Sequence, residues 1–232
     1  MTLIIQFLER KAVMQIKGTV ALVTGANRGI GKAFAEALLE RGATKVYAAV
    51  RDISTVTDPR LVPVQLDVTD PDRIAAVAAE LDDVQLVVNN AGVGAIGFPL
   101  DATLDAARHE LETNYLGLIS MTQAFAPVLA GNGGGAFVNV LSVVSWVANP
   151  LLTTYAASKS AAWSYTNAAR IQLGSQGTQV LGVHVGLVDT DLSAGIDRDK
   201  IPPAVVAQPG LDHAAALVDV CLALVRLERV ER

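Results

Sequence analysis

The sequence predicts an α/β fold in which a doubly wound parallel sheet carries helices on both faces, giving three layers. Two observations lead to this prediction. Short apolar segments alternate along the 232 residues with longer segments of helical periodicity, as is typical of doubly wound sheets. Several of the short segments are apolar at consecutive positions, which is typical of strands whose two faces are both buried in a parallel sheet.

The pattern is assigned to alternating strands and helices. The strands are expected at residues 19–24, 45–50, 62–66, 84–89, 136–141 and 179–185. The helices are expected at residues 30–41, 70–81, 100–111, 114–129, 155–173 and 212–227. Because the last apolar segment is assigned to a helix, the sheet is expected to have six strands and to lack a seventh.

The domain organisation is expected to be simple. The chain shows no internal repeat, low-complexity segment or linker, which predicts a single domain over residues 14–232. The first strand signal comes shortly after Met14, so residues 1–13 are interpreted as an N-terminal extension.

Composition and charge exclude several classes of protein. Hydrophobic residues make up 51% of the chain and charged residues 18%, which excludes a disordered protein. A net charge of −5 argues against a nucleic-acid partner, and no apolar segment approaches the ~20 residues of a membrane span. One cysteine and three scattered histidines give no metal site and no internal disulfide, and we expect a reducing, cytoplasmic location.

A glycine-rich turn follows the first predicted strand and contains Gly25, Gly29 and Gly31. Glycine permits a positive φ and a close approach of the backbone to a ligand. The helix that follows supplies free N–H groups and a partial positive charge for a pyrophosphate. The turn therefore predicts dinucleotide binding, with an ordinary tight turn as the alternative.

Tyr155 and Lys159 lie four residues apart on a predicted helix and so share one face. At an effective dielectric constant of about 20, a cation about 5 Å from a phenol favours the phenolate by roughly 3.3 kcal/mol, or roughly 2.4 pKa units. We therefore expect the lysine to lower the tyrosine pKa towards the range useful for proton transfer. Without further motifs, such a pair is more often a tyrosine packed in the core and a lysine that reaches solvent.

Four features in one order resemble the short-chain dehydrogenase/reductase family over residues 18–190. They are the G-x-x-x-G-x-G turn, Asn89-Asn90-Ala91-Gly92 after strand four, Ser142 at the end of strand five, and Tyr155-x-x-x-Lys159. The resemblance implies a Rossmann-type fold and an oxidoreductase that interconverts a ketone or aldehyde and an alcohol. It also implies a catalytic tetrad of Asn114, Ser142, Tyr155 and Lys159.

The resemblance gives each tetrad residue a role. Tyr155 exchanges a proton with the substrate oxygen, which Ser142 holds in place. Lys159 binds the ribose hydroxyls, and Asn114 helps to hold a water that connects the lysine to solvent. Ser145 is a weaker alternative to Ser142.

The end of the second strand predicts NADP(H) as the cofactor. An NAD site usually places an acidic residue about 20 residues after the glycines, but this chain has Val50 there, followed by Arg51. A guanidinium suits a 2′-phosphate, and Arg28 could contact the same group. Asp52 remains a rival that would favour NAD. The full set of implied cofactor contacts is Gly25, Asn27, Arg28, Gly29, Ile30, Gly31, Arg51, Asp67, Val68, Asn90, Ala91, Gly92, Tyr155, Lys159, Gly186, Val188 and Thr190.

The expected partners are a small-molecule substrate and a second copy of the chain. Residues 93–96, 143–152 and 186–196 should surround the substrate and contain few charges, which favours an apolar carbonyl compound or alcohol, with Trp146 as a candidate selector. A homodimer is expected through helices 114–129 and 155–173, because the latter has a face of small residues. The alternatives are a 3-oxoacyl-(acyl-carrier-protein) reductase and a non-catalytic NADP-sensing regulatory protein.

Overall fold

A computed structural model of the chain describes residues 14–213 and 220–222. Seven parallel strands form one sheet in the order β3-β2-β1-β4-β5-β6-β7. Their bounds are β1 Val20–Thr24, β2 Lys45–Val50, β3 Val62–Gln65, β4 Leu86–Asn89, β5 Gly135–Ser142, β6 Thr178–Val185 and β7 Val220–Leu222. The order reverses between β1 and β4, as in doubly wound dinucleotide-binding sheets.

Helices cover both faces of the sheet. Their bounds are α1 Gly29–Glu40, α2 Pro71–Glu80, α3 Leu104–Leu111, α4 Gly117–Gly131, α5 Thr153–Leu173 and α6 Pro203–His213. Alternate strand residues point to opposite faces, so Ala21 and Val23 pack with α1 and α6, whereas Leu22 packs with α2, α4 and α5. Within residues 14–213, no helix is long and apolar enough to span a membrane.

The structure confirms the doubly wound parallel sheet, but the expectation that a seventh strand is missing was wrong. Val220–Leu222 pairs in parallel with Val183, His184 and Val185 of β6. Three apolar residues are too few to show a period, so pairing with the sheet decides their conformation. The rest of the predicted helix beyond His213 lies outside the described residues, as does the predicted extension over residues 1–13.

A second correction concerns the helices around Asn114. Two separate helices were expected at 100–111 and 114–129, but the helical run begins at Leu104, where Thr103 caps it, and continues to Gly131. A π-helical turn over Glu112–Leu116 joins α3 to α4. Such turns are frequent at functional sites, and this one contains Asn114.

Candidate active site

The carboxyl ends of β1, β4, β5 and β6 meet at one edge of the sheet, where ligands bind in doubly wound folds. Ser142 is the last residue of β5, and Tyr155 and Lys159 lie in the first turns of α5. The structure therefore brings the predicted tetrad together, with Asn114 supplied by the π turn.

Tyr155 and Lys159 are both buried at the centre of this site. The Lys159 Nζ lies 5.8 Å from the centroid of the Tyr155 ring and donates a hydrogen bond of 2.9 Å to the Val140 carbonyl. Ser142 lies near the Tyr155 hydroxyl, and its side chain acts to lower the pKa of the phenol. The serine that the sequence favoured is thus the one beside the phenol.

The predicted lowering of the tyrosine pKa is wrong for the chain by itself. The pKa of Tyr155 is raised to about 12, mainly by burial; the Ser142 side chain acts to lower it, and the charge of Glu110 raises it further. Burial also lowers the pKa of Lys159 to about 8. The sequence-based expectation counted the lysine charge but not the loss of water from the phenol. At neutral pH Tyr155 is therefore protonated and can donate a proton.

The side chain of Asn114 is fully engaged by its neighbours. Its Oδ1 accepts from the Val93 N–H (2.9 Å), and its Nδ2 donates to the Val93 carbonyl (2.8 Å) and to the Ser158 hydroxyl (2.9 Å). Ser158 in turn donates to the Tyr155 carbonyl. The asparagine therefore connects the segment after β4 to the beginning of α5, a role that the sequence did not predict.

A small cavity of about 20 Å³ lies between the π turn and α5, lined by Asn114, Lys159 and Thr113 among others. It is large enough for one water molecule. The buried Thr113 Oγ1 and Asn89 Oδ1, which belong to residues lining this cavity, have no hydrogen-bond partner within the described parts of the chain. A water held here would satisfy them beside the lysine, as the predicted proton relay requires.

The glycine-rich turn has the geometry expected of a dinucleotide cradle. Gly25 and Gly29 adopt φ values of +66° and +53°. A Cβ on Gly31 would collide with the Gly25 carbonyl and the Asn90 side chain, and one on Gly92 would lie 3.0 Å from the Asn114 Oδ1. The backbone therefore offers a close approach at the start of α1, where a pyrophosphate fits.

The remaining cradle residues differ in exposure. Asn27 is half-buried, and Ile30 is partly buried against the core below α1. Ala91 is held through its N–H by the Thr24 hydroxyl, which also accepts from the Asn90 N–H. These hydrogen bonds connect the end of β4 to the end of β1 and so fix the backbone beside the glycine-rich turn.

Asp52 follows the end of β2, and its carboxylate is engaged in hydrogen bonds with Ser54. It caps the short 3₁₀ helix Ile53–Thr55 by accepting from the Ser54 N–H (3.0 Å) and hydroxyl (2.7 Å), which lowers its pKa. Arg51 is exposed, and its charge contributes to lowering the pKa of Asp67. The cap argues against Asp52 as a ribose ligand and leaves Arg51 as the available charged group.

Asp67 follows β3, where its carboxylate accepts hydrogen bonds from the N–H and hydroxyl of Thr69. The Thr69 N–H is the main cause of its lowered pKa. Val68 packs against the core and approaches Gly117, where a Cβ would lie 2.8 Å from the Val68 carbonyl oxygen. Both residues thus lie at the predicted edge of the cofactor site.

The segment after β6 closes onto the glycine turn. Gly186 is half-buried, and Val188 is buried and pairs with Ile201. The Thr190 Cγ2 would lie 3.1 Å from a Cβ on Gly29, and its neighbour Asp191 forms an ion pair with Arg28. The sequence placed Arg28 and Thr190 in one site but did not predict this pairing.

The side chains of Ser145 and Trp146 both contact His184. The Ser145 hydroxyl donates to the Ser142 carbonyl (2.5 Å) and lies 3.0 Å from the His184 Nδ1. Trp146 stacks on His184 with 3.8 Å between ring centroids and meets Trp163 edge-on. These contacts argue against Ser145 as the catalytic serine. Trp146 remains partly exposed and lines an open cavity beside the start of α5, so its role as a substrate selector stays a prediction.

Comparisons with known proteins agree with this geometry. A family model described as short chain dehydrogenase matches residues 19–201. A 3-oxoacyl-(acyl-carrier-protein) reductase of Vibrio harveyi is 32% identical over 196 residues, which cover 81% of this chain and 80% of that protein. A sorbitol dehydrogenase of Cereibacter sphaeroides is 33% identical over 194 residues, covering 79% and 76%.

A solved structure is similar over most of its length. It is a short-chain dehydrogenase from Burkholderia cenocepacia in complex with NADP, 41% identical, with a TM-score of 0.87 over 90% of both chains. The family model, the relatives and the solved structure all indicate the same family of oxidoreductases. The chain belongs to the short-chain dehydrogenase family of oxidoreductases, which act on CH–OH and C=O groups.

Proposed function

We propose that this chain reduces a ketone or aldehyde with NADPH, or runs the reverse oxidation of an alcohol, with Tyr155 as the acid–base. The observation that carries the proposal is the environment of Tyr155, which is buried, protonated at neutral pH and near Ser142. When bound, the nicotinamide cofactor supplies or accepts the hydride. Neutral tyrosine is the form that can donate a proton to a carbonyl oxygen, so the described state favours reduction.

Each tetrad residue has a task in this scheme. Ser142 and Tyr155 hold the substrate oxygen, and Tyr155 gives it a proton as the alcohol forms. The ammonium group of Lys159, one helical turn away, stabilises the phenolate that remains. A water in the cavity between Asn114 and Lys159 would return a proton from solvent.

The proposed preference for NADP(H) over NAD(H) rests on Arg51 and Arg28, the two arginines expected at the 2′-phosphate. Arg51 is exposed at the end of β2 and has no ion-pair partner within the described ranges, and Asp52 is engaged as a cap. The Burkholderia cenocepacia relative was solved with NADP, which supports the same cofactor here. A charge-assisted hydrogen bond to the 2′-phosphate would contribute about 1.5–3 kcal/mol.

The substrate is proposed to be apolar around its carbonyl group. Ile96, Leu151 and Leu192, on three different loops, are about half exposed. The first two loops are joined where the Gly97 N–H donates to the Leu151 carbonyl, and Leu192 approaches Gly94 beside Tyr155. Exposed apolar side chains on loops beside a catalytic group favour an apolar ligand.

A homodimer is proposed through α4 and α5. The outward stripe of α5 is uncharged and consists of Ala157, Ala161, Ser164, Ala168 and Ile171. Ile171 is 83% exposed, which suits a residue covered by a second copy. Measuring the solution mass of wild type and of Ala168→Arg tests this, since a charge in the stripe should give a monomer.

Two expectations stay predictions. The first is that the domain covers residues 14–232 and that residues 1–13 form an extension. The second is the reducing, cytoplasmic location inferred from the single cysteine.

The proposal is tested by NADPH oxidation with a pool of apolar ketones and aldehydes, with NADH in parallel. Tyr155→Phe is the blank and Ser145→Ala is the matched control. Turnover that needs Tyr155 and prefers NADPH supports the proposal. Tight NADPH binding without any turnover would favour the non-catalytic NADP-sensing alternative.

A 3-oxoacyl-(acyl-carrier-protein) reductase is the second candidate, favoured by the Vibrio harveyi relative of that name. The net charge of −5 argues against it, because an acidic carrier protein docks best on a basic surface. Adding a 3-oxoacyl thioester of a carrier protein to the pool separates the two candidates. A much higher kcat/KM for the carrier-bound substrate than for free ketones would select the second.

A further inference from the structure

Glu110 is a buried carboxylate that the catalytic scheme does not use. It is 1% exposed and is the only buried residue of α3, although Leu104 and Leu111 on the same helix are exposed. Burying a carboxylate costs free energy unless hydrogen bonds satisfy it. A glutamate where an apolar side chain would fit more cheaply points to a contact that an apolar side chain cannot make.

That contact is with the segment after β4. The Glu110 Oε1 accepts a hydrogen bond of 2.7 Å from the Ala95 N–H. Further along the same helical run, Asn114 holds Val93 through both its N–H and its carbonyl. Two side chains on one face of the helical run therefore fix alternate residues of a single loop.

Gly94, the residue between these two anchors, lies against the ring of Tyr155. A Cβ on Gly94 would be 2.9 Å from the Tyr155 Cδ2 and 3.3 Å from its Cε2. The loop backbone is thus one wall of the phenol site, and no side chain separates the two. A displacement of Ala95 would release this wall and let the ring move.

The second oxygen of Glu110 adds to the cost of burying this carboxylate. Oε2 is buried and has no hydrogen-bond partner in residues 14–213 or 220–222. A carboxylate with one oxygen unsatisfied is a costly way to hold a loop. Its charge also acts on Tyr155, whose pKa it raises in addition to the larger effect of burial.

We propose that Glu110 is a positioning residue for Tyr155, which fixes residues 93–96 through Ala95 and so holds Gly94 against the phenol ring. The inference rests on the proposed function, in which Tyr155 transfers the proton. Its mechanical part concerns the folded chain alone and can be measured without turnover.

The first experiment compares wild type with Glu110→Ala, Glu110→Gln and the control Glu112→Ala, an exposed glutamate of the adjoining π turn. Hydrogen exchange at Ala95 reports the anchor, and the ¹³Cζ signal of labelled tyrosine reports the ring. The chain has four tyrosines, and the Tyr155→Phe spectrum assigns the signal of Tyr155.

Glu110→Ala is expected to speed exchange at Ala95 about tenfold, as the loss of one hydrogen bond predicts, and to shift the Tyr155 signal. Glu110→Gln keeps an acceptor oxygen and should restore most of both properties. Glu112→Ala should change neither. A Tyr155 signal that stays at the wild-type position in Glu110→Ala overturns the proposal, whether or not hydrogen exchange at Ala95 becomes faster.

Kinetics then separate positioning from a purely structural role. Glu110→Ala should lower kcat on the order of 10- to 100-fold with little change in KM for NADPH, because a shifted acid misaligns the transition state but not the cradle. Gly94→Ala should reproduce this loss by pushing on the ring directly. A loss of kcat that only parallels a loss of thermal stability across the variants would contradict positioning.

The two proposals fail in different ways. If the wild-type chain turns over no carbonyl compound, the proposed function is wrong, but exchange and the tyrosine signal still show whether Glu110 fixes the ring. If turnover depends on Tyr155 while Glu110→Ala keeps the wild-type kcat and ring signal, the function stands and the positioning role falls.

Discussion

Arg28 and Asp191 form an ion pair of 2.6 Å that joins the glycine-rich turn to the segment after β6. Both side chains are largely exposed. The pair spans the two sides of the proposed cofactor cleft, so a bound 2′-phosphate would compete with Asp191 for the guanidinium.

Removing that competitor should strengthen NADPH binding. Exposed ion pairs contribute up to about 1 kcal/mol, so Asp191→Asn is expected to lower the Kd for NADPH by up to about fivefold and to leave the Kd for NADH nearly unchanged. Isothermal titration of both cofactors checks this, with Asp189→Asn as the neighbouring control. Weaker NADPH binding by Asp191→Asn would mean that Asp191 supports the cofactor site instead.

Arg51 should decide between the two cofactors. Arg51→Asp removes the proposed phosphate ligand and introduces a repelling charge, so kcat/KM for NADPH should fall by about 10- to 150-fold or more. NADH, which lacks the phosphate, should be used at least as well as by wild type. Asp52→Asn is the matched control, and a large change in cofactor preference there would show that Asp52 faces the ribose.

The buried lysine predicts a pH-dependent stability. The pKa of Lys159 is lowered to about 8 in the folded chain from 10.5, so the unfolded chain binds the extra proton between these values. The free energy of unfolding should therefore rise by about 2 to 3 kcal/mol between about pH 8 and pH 10 from this group. Above about pH 10 the raised pKa of Tyr155 acts in the opposite direction.

Denaturant unfolding from pH 7.5 to pH 10 checks this prediction, with Lys159→Met as the reference that cannot titrate. The difference in slope between the two proteins isolates the lysine from other groups. Equal slopes would show that Lys159 keeps its ordinary pKa in the folded chain.

The two buried serines should differ in their kinetic importance. Ser142→Ala removes the hydroxyl beside Tyr155, and the loss of one such donor typically lowers kcat by about 10²–10³. Ser145 bonds to the Ser142 carbonyl and to His184, so Ser145→Ala should lower kcat by less than about tenfold. The reverse order of effects would reassign the substrate oxygen to Ser145.

Much of the fold was predictable because strand and helix periods are strong along most of the chain. The glycine turn, Ser142, Tyr155 and Lys159 were found because each is a residue type with few substitutes at a fixed spacing. β7 was missed because three residues carry no period. The π turn was missed because its wider turn shifts the helical period at Glu112–Leu116, so two separate helices were expected there.

The contacts that organise the site could not be predicted from the sequence. Glu110 looks like one more surface charge on α3, and only the fold shows that it faces inward to Ala95. The pKa of Tyr155 depends on how completely the phenol loses water, which a spacing of four residues does not report. Arg28 and Asp191 are far apart in sequence and meet only through the loops of two different strands.

The most direct test of the account is the rate of NADPH-dependent carbonyl reduction by wild type and Tyr155→Phe, with the NADPH Kd measured on both proteins. Loss of the proton donor should lower kcat by about 10²–10⁴ while the Kd stays within a few-fold, because the cradle and Lys159 remain. A Tyr155→Phe protein that binds NADPH normally and still reduces the substrate at the wild-type rate would contradict the central role given to Tyr155.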